Sequence, residues 1–409
     1  MSRSHEEVMK DIIYDESRVP AYELPSPLEY ADGSRVKNAF EWVNFRRPEI
    51  LDFYKKEVYG QLPPRPDKMW SEVLAVKEDA LENTAIRKEI RIHFAMKNGQ
   101  ARFMDMLLYL PKAAEAPVPA FLGLCFKGIH VTTDEPDVHK TGFDPDGNLY
   151  APEDRGVQTH RWQFRDAIRR GYASAVICYH DIYPDCYSAR GWEKSVYGMC
   201  YPELTPEQLH ERSSSISAWA WGLSRALDYL ETEPGINASK VAVHGHSRLG
   251  KTALWAGATD SRFRLVISND SGCGGAALFK RCFGENVEAI LGPVPYWFVR
   301  SFKKYINKES EMPFDQHWLI SLMAPRPVCI ASATEDLWAD PKGEFLSGVH
   351  AAEVYRLFGA EGLGTDVMPP PDTPVTGEVS YHLRTGKHDQ TAADWEHYFA
   401  LADRYLKRK

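Results

Sequence analysis

Short, continuously apolar runs recur through the later part of the chain, each followed by a connection and then a helical pattern. They fall at Ala120–Phe126, Ala173–Tyr179, Lys240–His244, Leu265–Ser268 and Pro327–Ala333. Runs of this kind suit strands buried on both faces, and their alternation with helices predicts a parallel sheet. Helical periodicity fits between them at Ser213–Leu230, Leu249–Ala258, Gly343–Phe358 and Thr391–Leu406; the first reads as amphipathic and carries Trp219 and Trp221. A further helix is expected over Ala39–Tyr59, interrupted at Pro48. Before these runs, Ile86–Met96 alternates apolar and charged positions and Phe103–Leu110 is richer in apolar ones, which predicts an antiparallel strand pair at a sheet edge. The pattern is that of an α/β protein: a doubly wound, mostly parallel sheet with helices on both faces, a three-layer sandwich. A single domain over residues 1–409 is expected, with 1–75 as an N-terminal extension and long loops at 127–163 and 181–207. Both loops follow predicted strands, and open α/β sheets bind ligands beyond the carboxyl ends of their strands, so the loops are expected to build the mouth of a site.

Composition narrows the partners. Hydrophobic residues make up 44 % and aromatics 12 %, which fits a tightly packed globular chain. Against 57 Asp and Glu stand 49 Lys and Arg, a formal charge of −8. Nucleic-acid binding needs a dense basic field, and none is present. No apolar run approaches the roughly 20 residues of a membrane-spanning helix, so no membrane partner is expected. The N-terminus, Met1 to Glu7, lacks the apolar stretch of a secretory leader; the expectation is a cytoplasmic protein or a mature chain whose leader has been removed. Seven cysteines contain no C-x-x-C pair, which argues against a zinc framework. They leave room for one or two bridges, Cys186–Cys200 among them.

The segment that carries chemistry is Val241-Ala242-Val243-His244-Gly245-His246-Ser247-Arg248-Leu249-Gly250-Lys251. An apolar strand runs into Gly-x-Ser and a helix begins at once. This is a nucleophile-elbow pattern, in which a sharp strand-to-helix turn exposes the Ser247 hydroxyl above the sheet. An N-cap serine on a buried helix would give the same short pattern. A serine nucleophile needs a base and an orienting acid, expected in the chain order Ser, Asp or Glu, His. His388 lies between the last apolar segment, Val379–Leu383, and the C-terminal helix, where an α/β-hydrolase fold places its histidine. Two carboxylates compete as the acid: Asp336, after the strand ending near Ala333, and Asp270, after the strand ending at Ser268.

The run Gly245-His246-Ser247-Arg248-Leu249-Gly250-Lys251 resembles the Gly-Cys-Ser-Arg-x-Gly-Lys motif of glucuronoyl esterases, carbohydrate esterase family 15. Asp270–Gly275, Pro313–His317 with Ala324–Arg326, and Trp338–Gly343 are similar as well, so the resemblance runs from about Tyr59 to the end. It implies an α/β-hydrolase fold and hydrolysis of the ester between 4-O-methyl-glucuronic acid of xylan and lignin-type alcohols. Acyl transfer of this kind needs no metal or organic cofactor, and a monomer is expected. The resemblance implies Ser247, His388 and an acid as catalytic residues, Arg248 beside the developing oxyanion, and Lys251, Glu285 and Trp338 as contacts to sugar hydroxyls. Trp297 and Trp162 are candidates for an aromatic rim. Two departures bear on this. His246 stands where secreted fungal members carry a disulfide cysteine. Asp270 stands where they carry a longer glutamate, which favours Asp336, the position bacterial relatives use. The resemblance also implies export, which the N-terminus does not suggest. A deacetylase acting on xylan is the nearest rival activity; a non-catalytic binding module is the more distant one.

Overall fold

The structure, a computed structural model, describes residues 3–407. Its strands are β1 (Lys68–Asp79), β2 (Ala85–Ala95), β3 (Ala101–Pro111), β4 (Val118–Cys125), β5 (Ala173–Cys178), β6 (Ile236–His246), β7 (Leu265–Asn269), β8 (Val328–Ala333) and β9 (Val379–Arg384). The helices that matter below are α1 (His5–Lys10), α2 (Arg47–Glu57), α3 (Ser215–Leu230), α4 (Arg248–Thr259), α5 (Pro341–Arg356) and α6 (Ala392–Tyr405). This mixture of parallel and antiparallel strands with interleaved helices is the α/β-hydrolase fold that the sequence predicts. No helix among the described residues is long and apolar enough to cross a membrane.

The chain divides into two compact units. One comprises Gln61–His244, Arg262–Arg264 and the chain from Gln390 onward. Its strands run in the order β1-β2-β3-β5-β4-β6. The first three connect antiparallel, β3 meets β5 antiparallel, and β4 pairs in parallel with β5 and β6. β4 and β5 are buried throughout, apart from the first two residues of β4, as their nearly continuous apolar runs lead one to expect, and Ser174 is buried with them. β1 is not marked in the sequence, because it is exposed along most of its length and so shows neither alternation nor an apolar run. It takes the edge and moves the predicted edge pair, β2 and β3, one place inwards. α3 also departs from expectation: every residue except Asp228 is buried, so it has no polar face. Its two indoles are satisfied by carbonyls, Trp219 by Tyr183 at 3.0 Å and Trp221 by Pro64 at 3.0 Å. A Cβ at Gly222 would sit 2.1 Å from the end of the Ile182 side chain, so any larger residue would force Ile182 to move.

Both long loops are more ordered than loops of that length need be. Within 181–207, Ser188 and Ser195 cap short helices at Ala189–Lys194 and Val196–Cys200. Cys186 and Cys200 are not bridged, and none of the seven cysteines takes part in a disulfide. Loop 127–163 is pinned to β2 and β3 by charge. Glu135 accepts from Arg87 and Tyr109, both at 2.8 Å. His139 sits between Glu89, against Nδ1, and Asp105, 3.0 Å from Nε2. With a carboxylate at each ring nitrogen, the imidazole must carry both protons. Burial opposes that charge, but Asp105 and Glu89 outweigh it and raise His139 from 6.5 to about 9. Around this cluster, Arg87 faces Glu89 and Arg91 holds Asp105 through two bonds at 2.8 Å. A group whose folded value is raised stabilises the fold fully below its unfolded value, and that contribution disappears as pH rises through the folded one. The unfolding midpoint is therefore expected to fall between pH 6.5 and 9, and His139→Gln to flatten that fall. An unchanged slope in the variant would mean that His139 is not the group responsible.

The second unit comprises the chain up to Gly60, Gly245–Ser261 and Leu265–Asp389. β7, β8 and β9 are parallel neighbours in it. The predicted helix over Ala39–Tyr59 is not broken at Pro48; a wide π turn at Trp42–Arg46 precedes α2, and Pro48 lies in the first turn of α2, where no N–H partner is needed. α2 brings Tyr54, and Tyr59 just beyond it, into an aromatic stack on Trp255, with Tyr59 4.7 Å from that ring. The Tyr59 hydroxyl then donates to Gly274 at 2.9 Å, and Gln316 donates to Gly275 at 2.6 Å. The N-terminal region thereby supports the glycine-rich turn after Asp270.

Candidate active site

β6 ends at His246 and α4 begins at Arg248, so Ser247 alone turns the chain. It does so at φ 58 and ψ −129, a conformation costing on the order of 1–3 kcal/mol for a residue with a side chain. Its backbone is held on both sides. The Ser247 N–H donates to Asn269 at 2.8 Å, and its carbonyl accepts from Gly250 at 2.8 Å and Lys251 at 3.2 Å. The hydroxyl makes no cap bond to α4, which separates this serine from an ordinary N-cap. Gly245 is required by contact: a Cβ there would lie 2.0 Å from the Leu249 carbonyl. The turn leaves the first N–H groups of α4, at the positive end of its dipole, on the Ser247 side.

His388 and both candidate acids lie in the same unit. The loops after β8 and β9 are stitched together: Thr334 N–H donates to Arg384 at 2.9 Å, Glu335 N–H to Gly386 at 2.8 Å, and Gly386 N–H to the Thr334 hydroxyl at 3.0 Å. That register sets the exposed His388 ring with Nδ1 2.5 Å from Asp336 Oδ2, while Asp336 is buried. Asp270 also lies close, and ligand atoms of Asp270, Asp336 and His388 all fall within 4.8 Å of one another. Among the described residues this is the grouping of His, Cys, Asp and Glu compact enough to hold a metal ion, although Nδ1 of His388 is already engaged by Asp336. Asp270, at φ 44, accepts from the Asp389 N–H at 3.2 Å, and its carboxylate is 3.8 Å from Arg384. Arg384 also donates to the carbonyls of Lys387 at 2.7 Å and Asp389 at 2.9 Å. Asp336 thus meets the imidazole directly, while Asp270 holds the backbone on which it rides. The His246 ring, one residue before Ser247, lies 4.5 Å from the His388 ring and is fixed through Nδ1 to Asn269 at 2.6 Å.

The remaining predicted residues form a second group beside these. Arg248 lies over the Trp297 ring, 4.6 Å from its centre. Buried Lys251 donates to the Ser271 carbonyl at 2.6 Å and is 3.7 Å from Glu285. Burial pushes the Glu285 carboxyl up, opposed by Lys251, by a hydrogen bond from Trp338, and by His388 and Arg248. Glu285 is therefore within electrostatic reach of Lys251, His388 and Arg248. Trp338 is half-buried; its carbonyl accepts the Glu285 N–H at 2.8 Å and its ring packs on Val8, Ile12 and Ala289. Neither Trp297 nor Trp162 is a rim residue. Both are buried, Trp297 beneath Arg248 and Trp162 against Phe164 and His244, because an indole gains more from packing than from exposure.

One residue at this site was not indicated by the sequence. Ile13 accepts from Gly284 at 2.8 Å and bridges Phe283, and Glu16 binds Arg281 and Lys342. These contacts set the largely exposed Tyr14 edge-on to Phe283, where partial withdrawal from water and the charges of Asp336 and Glu285 raise its phenol. No motif or periodicity surrounds Tyr14, so nothing in the sequence could have pointed to it.

A strained serine between strand and helix, with an imidazole and carboxylates on the following strands, places the molecule among the α/β-hydrolases. A family model described as "Glucuronyl esterase, fungi" matches residues 207–359. The carbohydrate esterase MZ0003 of an unknown prokaryotic organism is 45 % identical over 403 residues, covering 96 % of this chain and 92 % of that protein. A promiscuous CE15 esterase from a marine bacterial metagenome superposes with TM-score 0.88 at 44 % identity, covering 97 % of this chain and all of the other. The glucuronoyl esterase of Solibacter usitatus does so with TM-score 0.87 at 44 % identity, over 95 % of this chain and 99 % of the other. The chain belongs to the glucuronoyl esterases of carbohydrate esterase family 15 and is a carboxylic ester hydrolase.

Proposed function

We propose that this esterase cleaves the ester between 4-O-methyl-glucuronic acid of xylan and lignin-type alcohols, through an acyl-enzyme on Ser247. In this reading His388 takes the Ser247 proton as the hydroxyl attacks the uronate carbonyl. Asp336 accepts a hydrogen bond from Nδ1–H, which fixes the tautomer and stabilises the imidazolium. Arg248 and the first N–H groups of α4 face the oxyanion, adding a full positive charge to the backbone dipoles. The alcohol leaves with the proton from His388. Water then attacks the acyl-enzyme by the same route and frees the acid.

The observation that carries this reading is the group formed by Lys251, Glu285 and Trp338 beside the Asp336–His388 pair. A cation, an acceptor and an indole N–H suit an acyl group bearing hydroxyls. An acetyl group offers them no hydroxyl to bind, and a site built for hydroxyls rejects analogues lacking them strongly. We expect kcat/KM for benzyl glucuronate to exceed that for acetyl release from acetylated xylan by about 10³-fold or more. Equal or reversed values would overturn the acyl selectivity and favour a deacetylase.

A further inference from the structure

Glu344 lies in the first turn of α5, fully buried, and the reaction above does not use it. A carboxylate removed from water must be met by donors. Oε1 accepts the N–H groups of Ser271 and Gly272, both at 2.9 Å, and the Ser271 hydroxyl at 3.1 Å; Oε2 accepts the Ser332 hydroxyl at 2.6 Å. These donors belong to two separate stretches of chain. Ser271 and Gly272 directly follow Asp270, and Ser332 lies in β8 on the way to Asp336. Ser271 extends the network: its hydroxyl accepts from Ser268 at 2.8 Å and from the Ala276 N–H at 2.9 Å, and its carbonyl receives Lys251.

We propose that Glu344 is a positioning residue of this esterase, locking the turn behind Asp270 and the strand leading to Asp336 into one geometry around His388. Asp270 supports this, because its positive φ has to be imposed by its surroundings, and the turn that Glu344 clamps begins at the next residue. Packing supports it too: a Cβ at Gly275 would lie 2.5 Å from the Ser271 hydroxyl, so the clamped turn has no slack. The carboxyl pays for its place. Burial pushes it up to about 8, against the bonds from Ser332 and Gly272, and a core position without this task would be filled by an apolar side chain.

The inference rests on the reading that His388 and its acids activate Ser247, so the test uses two readouts. One is turnover of benzyl glucuronate; the other is the rate at which a fluorophosphonate labels Ser247, which needs the activated serine but not the sugar. Glu344→Gln keeps the volume and the acceptor for Ser271 and Gly272 while turning an amide toward Ser332. Assayed at pH 9, above the value of about 8 to which burial pushes Glu344, so that the carboxyl is ionised, it is expected to lower kcat by about tenfold or more, with KM within about twofold, and to slow labelling in parallel, as small misplacements of catalytic groups do. Ser332→Ala removes one donor without touching α5 and is expected to lower both rates by about two- to fivefold. Rates within twofold of wild type in both variants, or a loss confined to KM, would overturn the proposal. Should Glu344→Gln fail to fold, Ser332→Ala decides alone on the same criterion. Failure of the substrate reading looks different: the wild type would then label yet release no benzyl alcohol.

Discussion

Ser247→Ala is expected to lower kcat on benzyl glucuronate by about 10⁴-fold or more while leaving the fold intact. The size follows from the route. Without the hydroxyl no acyl-enzyme forms, and only the oxyanion donors and bound water remain. That the fold survives follows from the local geometry. Alanine and serine carry the same Cβ, so the strain of φ 58 is unchanged. The serine hydroxyl makes no cap bond to α4, so the helix loses no partner of the kind worth about 1 kcal/mol elsewhere. The backbone bonds that hold the turn, to Asn269, Gly250 and Lys251, do not involve the hydroxyl. Release of benzyl alcohol and thermal unfolding, measured on the same preparation, check both halves. Turnover within about tenfold of wild type would sink the covalent route, and a large fall in unfolding temperature would show that the hydroxyl has a structural role.

How much of this was legible in the sequence depends on whether a position's role is local. β4 and β5 are almost wholly apolar, Ser174 being the exception, because burial on both faces disfavours polar side chains. The elbow is legible for a similar reason: Gly245 is forced by a contact with Leu249, four residues on, so the constraint is written into adjacent positions. β1 is exposed and pairs on one side only, so no period marks it. α3 misleads in the other direction, since its indoles and serines look like a polar face until Tyr183 and Pro64 are seen to satisfy the indoles. Within the site, the chain order of serine, acid and histidine follows from the elbow pattern, whereas the preference for Asp336 over Asp270 comes from the family resemblance and from no local pattern around either acid. That choice depends on how the β8 and β9 loops are stitched and on which hydrogen bonds Asp270 has already made. Tyr14 and Glu344 belong to the same kind, because each acquires its place only from partners far away in sequence.

The two acids can be separated by kinetics. Asp336→Asn is expected to lower kcat/KM by about 10³- to 10⁴-fold. At 2.5 Å from Nδ1, the carboxylate accepts from the ring, so that in the proposed reaction Nε2 takes the Ser247 proton. An amide in its place can turn its N–H₂ toward the ring, select the other tautomer, and offers no charge to the imidazolium. Asp270→Asn is expected to cost only about tenfold, because the amide oxygen still accepts the Asp389 N–H and Arg384 still holds that loop through the carbonyls of Lys387 and Asp389. The reverse ranking would move the acid to the strand before, with Asp336 as the support. Comparable losses would mean that the imidazolium is stabilised by both charges together, as three groups within 4.8 Å permit, and the double variant would then lose little beyond either single one.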